Sequence, residues 1–126
     1  MEKLLNSNEL ISIEHSPVKD LINACYVAGV FKDAVKYLSN KVGFGIDIGG
    51  FTFWSDLDEY DKTFYEDEFN GIEIELGTQS VILSYELLYY YLKIAGERYI
   101  EKNPQNEKEF ELYFSNIKRN MEMRKR

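Results

Sequence analysis

The stretch Phe44-Gly45-Ile46-Asp47-Ile48-Gly49-Gly50-Phe51-Thr52-Phe53-Trp54 decides the fold. Apolar residues alternate with small or polar ones on either side of Gly49-Gly50. Two short strands around a Gly-Gly pair predict a β-hairpin with a primed turn, because such turns need positive φ. Pairing across that turn sets Ile48 opposite Phe51 and Ile46 opposite Phe53. These four residues then share one face, with Asp47, Thr52 and Trp54 on the other.

Downstream, Ile72, Ile74 and Leu76 alternate with Glu73 and Glu75, the pattern of a half-buried strand. Gly77-Thr78-Gln79-Ser80 reads as a turn and Val81-Ile82-Leu83 as a further strand. Ser84 can cap a helix over about 85–102, whose buried stripe is Leu88, Tyr91, Leu92, Ala95 and Tyr99. Asn103-Pro104 ends it. Phe110, Tyr113, Phe114, Ile117 and Met121 mark a last helix over about 105–120, and Arg119 to Arg126 form a basic tail expected to fray. Upstream, residues 1–15 give a weak signal, in which Leu10, Ile11 and Ile13 start a short strand or act as a cover. Ser16-Pro17 is a helix start, and Val18, Leu21, Ile22, Cys25, Ala28, Phe31, Val35 and Leu38 predict one amphipathic helix over about 17–40. Gly29 inside it is expected to allow a close helix–sheet contact. The fold class is therefore α+β: one domain, 1–126, with a small, mostly antiparallel sheet and about three helices on one face.

The chain has 126 residues, 44% of them hydrophobic and 29% charged, enough for one core without disulfides or metal. No apolar run reaches the ~18 residues of a membrane-spanning helix, and Met1-Glu2-Lys3-Leu4-Leu5-Asn6 lacks the apolar stretch of a signal peptide. Cys25 is the single cysteine, which fits a reducing compartment. The expectation is a cytoplasmic protein with no membrane partner.

Signatures of catalysis are sparse. His15 is the only histidine, which rules out a His cluster for zinc and reads as an exposed residue before a helix cap. Cys25 falls on an apolar helical stripe and is expected to be a buried, inert thiol rather than a nucleophile paired with His15. The glycines at 43, 45, 49 and 50 lack the order and the lysine of a phosphate loop. Asp56 and Asp58 resemble the start of a calcium loop, but Tyr60, Asp61 and Asp67 stand where that loop needs other residues, leaving only weak divalent binding open. No cofactor is implied, and no enzyme.

The charge is concentrated. The net charge is −7, yet residues 56–75 alone carry nine acids and one base. Trp54, Tyr60, Phe64 and Tyr65 are interleaved with Asp56, Asp58, Glu59, Asp61, Glu66, Asp67 and Glu68, and Glu73 and Glu75 extend the negative field. This reads as a long loop with at most one helical turn, pinned to the core by Phe64 and Phe69. Such self-repulsion is relieved by a cationic partner, which it also steers in quickly. The surface would repel nucleic acid. A solvated loop that merely keeps the protein soluble is the competing reading. The candidate interface is Trp54, Asp56, Asp58, Glu59, Tyr60, Asp61, Tyr65, Glu66, Asp67 and Glu68.

The run Phe53-Trp54 into the acidic loop, Phe69-Asn70-Gly71-Ile72-Glu73-Ile74, and Val81-Ile82-Leu83-Ser84-Tyr85-Glu86 carry a resemblance, as does Ala95 to Pro104. Over roughly 44–118 the chain resembles the CdiI-type immunity proteins of bacterial contact-dependent growth inhibition, particularly those against ribonuclease toxins. The resemblance implies a cytosolic inhibitor that binds the C-terminal toxin domain of a cognate exoprotein and occludes a basic active site or substrate groove. Charge reversal at Asp58 and Asp61 would then slow association. Two other classes stay open: an adaptor or weakly homodimeric structural subunit, and a small enzyme using carboxylates alone.

Overall fold

The computed structural model describes residues 3–121. Four strands form one antiparallel meander in the order β1-β2-β3-β4: β1 Phe44–Ile46, β2 Gly49–Phe53, β3 Ile72–Leu76 and β4 Gln79–Leu83. The register aligns Phe44, Phe51, Ile74 and Val81 in one row and Phe53, Ile72 and Leu83 in the next. These rows face the helices, because strand side chains alternate and Phe51, Phe53, Ile72, Ile74 and Leu83 are all buried. Thr52, Glu73 and Ile82 form a row on the opposite face, with Gly50, Glu75 and Ser80 beside it.

Among the described residues there are five α-helices rather than three: α1 Ser16–Val27, α2 Phe31–Ser39, α3 Glu59–Lys62, α4 Tyr85–Lys102 and α5 Glu107–Asn120. The helix expected over 17–40 is two helices, and Gly29 is the break. Its φ is +79°, and a Cβ there would meet nothing within 4 Å, so glycine serves the reversal and not a close contact. The apolar stripe runs on through the break because both helices face the same core: α1 lies on β3 and β4, α2 on β1, and α5 closes over α2 and α4. Ser16 is the first helical residue rather than the cap, while Ser84 does cap α4 by accepting from the Leu87 amide.

The first hairpin also departs from expectation. Ile46 pairs with Gly49, so the turn is Asp47-Ile48 and the two glycines lie within β2. Neither turn residue has positive φ, so the turn is not a primed one. Gly49 is needed for clearance, since a Cβ there would lie 2.1 Å from the Glu75 carbonyl oxygen. Ile48 consequently leaves the core face and is 54% exposed. In the second hairpin the turn is only Gly77-Thr78, with Gly77 at φ +60°.

The N-terminal segment forms no strand and packs as a cover, with Leu10 against the core and Ile11 and Ile13 exposed. It makes two short 3-10 turns, Ser7–Glu9 and Ile13–His15, and buries Leu4 and Leu5 fully in the core. Asn23 holds it: Oδ1 accepts from the amides of Leu4 (2.9 Å) and Leu5 (3.1 Å), and Nδ2 donates to the Leu5 carbonyl (2.9 Å). Arg98 donates to the Leu4 carbonyl and pairs with Glu9 through Nη1 and Nη2. His15, expected at the surface, is 9% exposed; its Nδ1 meets the Tyr91 hydroxyl at 2.7 Å, and that hydroxyl accepts from the Ile11 amide. Asn23→Ala would leave two amides and a carbonyl without partners, at an expected cost of about 2 kcal/mol in urea unfolding. The basic tail expected at the C-terminus lies largely outside the described residues; Arg119 and Asn120 still belong to α5.

Candidate functional site

Residues 54–70 join β2 to β3 and form an ordered excursion in place of a bare loop. A 3-10 turn, Trp54–Asp56, leads into α3. Asp56 ties the entry down, accepting from the Phe53 amide at 2.7 Å and the Gly43 amide at 3.2 Å. Asp58 caps α3 by accepting from the Asp61 amide at 2.8 Å. Both carboxylates therefore have structural duties as well as exposed charge.

Beneath the segment, Trp54 packs edge to face against Tyr65 and Phe69, which are tilted against each other, with centroids 5.2–5.6 Å apart. Phe69 is buried, as expected, and Trp54 and Tyr65 are half-buried. The Tyr65 hydroxyl reaches the open face of the sheet and donates to Glu73 at 2.5 Å. That bond, together with partial burial and the negative charges of Glu73, Glu75 and Asp61, pushes the Tyr65 phenol up to about 12. The phenol therefore stabilises the fold fully below its ordinary value of about 10, and that contribution is lost as pH rises through about 12. Glu73 is only 8% exposed, so it does not extend the outer negative surface as its place on the strand suggested. Tyr65→Phe would strip this buried carboxylate of its donor, at an expected cost of about 2 kcal/mol in unfolding at neutral pH.

On the outside, Glu59, Asp61, Glu66, Asp67 and Glu68 are exposed together with Asp56 and Asp58. Lys62, the one base between 56 and 75, is turned inward: its Nζ lies 3.3 Å from Glu59 and 5.6 Å over the Trp54 ring. Tyr60 stands in solvent at 70% exposure. Phe64, expected in the core, stands beside it at 71%. Phe64 has the spacing from Phe69 of a pinning residue, but its spacing of four from Tyr60 decides its place. A polar cleft of about 440 Å³ borders the segment, lined by Trp54, Glu68 and Phe69 on one side and Ser84, Tyr85 and Glu86 of the α4 start on the other.

Cys25 is buried and its thiol is pushed up to about 11 by burial, so it is a poor nucleophile. Among the described residues no group of three or more His, Cys, Asp or Glu could hold a metal ion, and no helix is long and apolar enough to cross a membrane. Comparison with known families decides the assignment, for the CDI immunity protein family model matches residues 14–114. The chain belongs to the CDI immunity protein family. The match reaches back through α1 and α2, which the resemblance over 44–118 did not include, so these two helices are part of the family's domain. No curated protein matches the chain significantly. As a CDI immunity protein it is a member of a family defined by protection from a toxin.

Proposed function

We propose that this CDI immunity protein acts in the cytoplasm, as a monomer or weak homodimer, by binding a basic, nuclease-type toxin domain and occluding its substrate groove. The observation that carries the reading is the acidic excursion: seven exposed carboxylates on an ordered support, with their one neighbouring base spent internally. A groove that binds RNA presents Lys and Arg to phosphates, and carboxylates held at fixed positions can occupy the same cations. Asp61, Glu66, Asp67 and Glu68 meet toxin bases directly, with Glu59 sharing Lys62. Asp56 and Asp58 add charge while holding the backbone. Tyr60 anchors the contact, and Trp54 and Tyr65 offer half-exposed ring edges while holding the segment to the sheet. The action is steric and electrostatic, needing neither a cofactor nor a catalytic step.

Co-expression tests this reading. Cells producing the cognate toxin domain grow when the intact chain is present and stop growing when it is absent. Growth arrest despite abundant folded chain would refute it.

A further inference from the structure

Tyr60 and Phe64 form an unusual surface feature. Their ring centroids are 5.3 Å apart at an interplanar angle of 89°, an edge-to-face pair, and each ring is otherwise in water. Such a pair is an apolar knob whose burial against a partner is favourable. It is also held in place. Asp58 caps α3, which carries Tyr60, the Thr63 hydroxyl donates to the Tyr60 carbonyl at 2.6 Å, and the Thr63 and Phe64 amides donate to the carbonyls of Tyr60 and Asp61. A knob set in advance loses little freedom on docking.

Charge selects what covers it. Glu59, Asp61, Glu66 and Asp67 surround the knob in sequence and are all exposed, and Lys62 is turned toward Glu59 and Trp54. A second copy meeting the knob about a twofold axis would set these acids against identical acids. A basic surface with an apolar recess satisfies both the rings and the carboxylates.

We infer that Tyr60 and Phe64 insert into an apolar recess rimmed by Lys and Arg on the toxin domain. The pair sets how long the complex lasts, and the surrounding acids set how fast it forms. This rests on the proposed use of the acidic excursion as the toxin-binding surface; it adds Phe64 to that surface and divides the work between rings and charges.

Binding kinetics of the full chain with purified, catalytically inactivated toxin domain test the division. Tyr60→Ala and Phe64→Ala are each expected to raise the dissociation rate at least tenfold, and together about 100-fold, with association within about twofold of the parent. The effect is expected to persist at about 0.5 M salt, where exposed charges are screened. Both rings are exposed, so melting temperatures should match the parent and confirm folding. Unchanged dissociation of the alanine variants, with association slowed by charge reversal at Asp61 and Glu66, would overturn the role of the rings and leave the acidic surface standing. No kinetic change from either set would overturn both. Self-association of the free chain, abolished by Phe64→Ala, would assign the knob to a second copy and overturn the inference.

Discussion

Reversing Asp61, Glu66 and Asp67 to lysine together is expected to slow association with the toxin domain roughly 100-fold at low salt. The three side chains are exposed, and none of them accepts a structural hydrogen bond of the kind made by Asp56 and Asp58. The fold should therefore survive, and a thermal melt close to the parent's is the control. Asp58, an obvious choice from sequence, is a poor probe: removing its cap on α3 would cost about 1 kcal/mol of local stability and mix two effects. The diagnostic feature is salt. Association of the parent should fall steeply between about 20 and 300 mM salt, whereas the reversed variant should show a flat or rising rate. Stopped-flow fluorescence across that range reads both slopes. A parent rate indifferent to salt would mean that the charges of 56–75 do not face the partner.

Gly71→Ala is expected to cost about 4 kcal/mol, a large fraction of the 5–15 kcal/mol typical of a domain. Gly71 is buried just before β3 with φ +137°, a conformation that disfavours any side chain. An added Cβ would also lie 2.0 Å from the Leu83 carbonyl oxygen and 3.0 Å from its carbon, and that atom is backbone. Since Ile72 pairs with Leu83, relief would require parting β3 from β4 at their join. At this size the melting temperature should fall by about 15 °C. Gly77→Ala is the matched control. Its φ is +60°, but nothing lies within 4 Å of the added Cβ, so only the conformational cost of about 1 kcal/mol applies. Equal losses at the two sites would show that the β3–β4 contact is looser than described.

Where periodicity and local capping agree, the sequence was readable. The α4 range, its Ser84 cap, the alternation through β3 and the α5 stripe follow from i, i+3, i+4 or i, i+2 spacing alone. Cys25, Ala28 and Phe31 keep helical spacing straight across Gly29, and only its positive φ reveals the break. Gly49-Gly50 has the local pattern of a turn, yet the requirement at Gly49 comes from Glu75 on the neighbouring strand. His15 looked exposed for a similar reason: Tyr91, its partner, lies far along the chain. The acidic excursion was legible as charge plus aromatics. What local pattern could not sort was which aromatics turn in: Trp54, Tyr65 and Phe69 pack together, while Tyr60 and Phe64 turn out. The sorting depends on Tyr65 finding Glu73 across the sheet.

Titrating the cognate toxin domain's nuclease activity with the purified chain, at low and at moderate salt, tests the central claim most directly. The account predicts that cleavage of RNA ceases near equimolar chain at low salt and that more chain is needed at moderate salt. Full nuclease activity in the presence of a stoichiometric complex, or no complex at either salt, would contradict it.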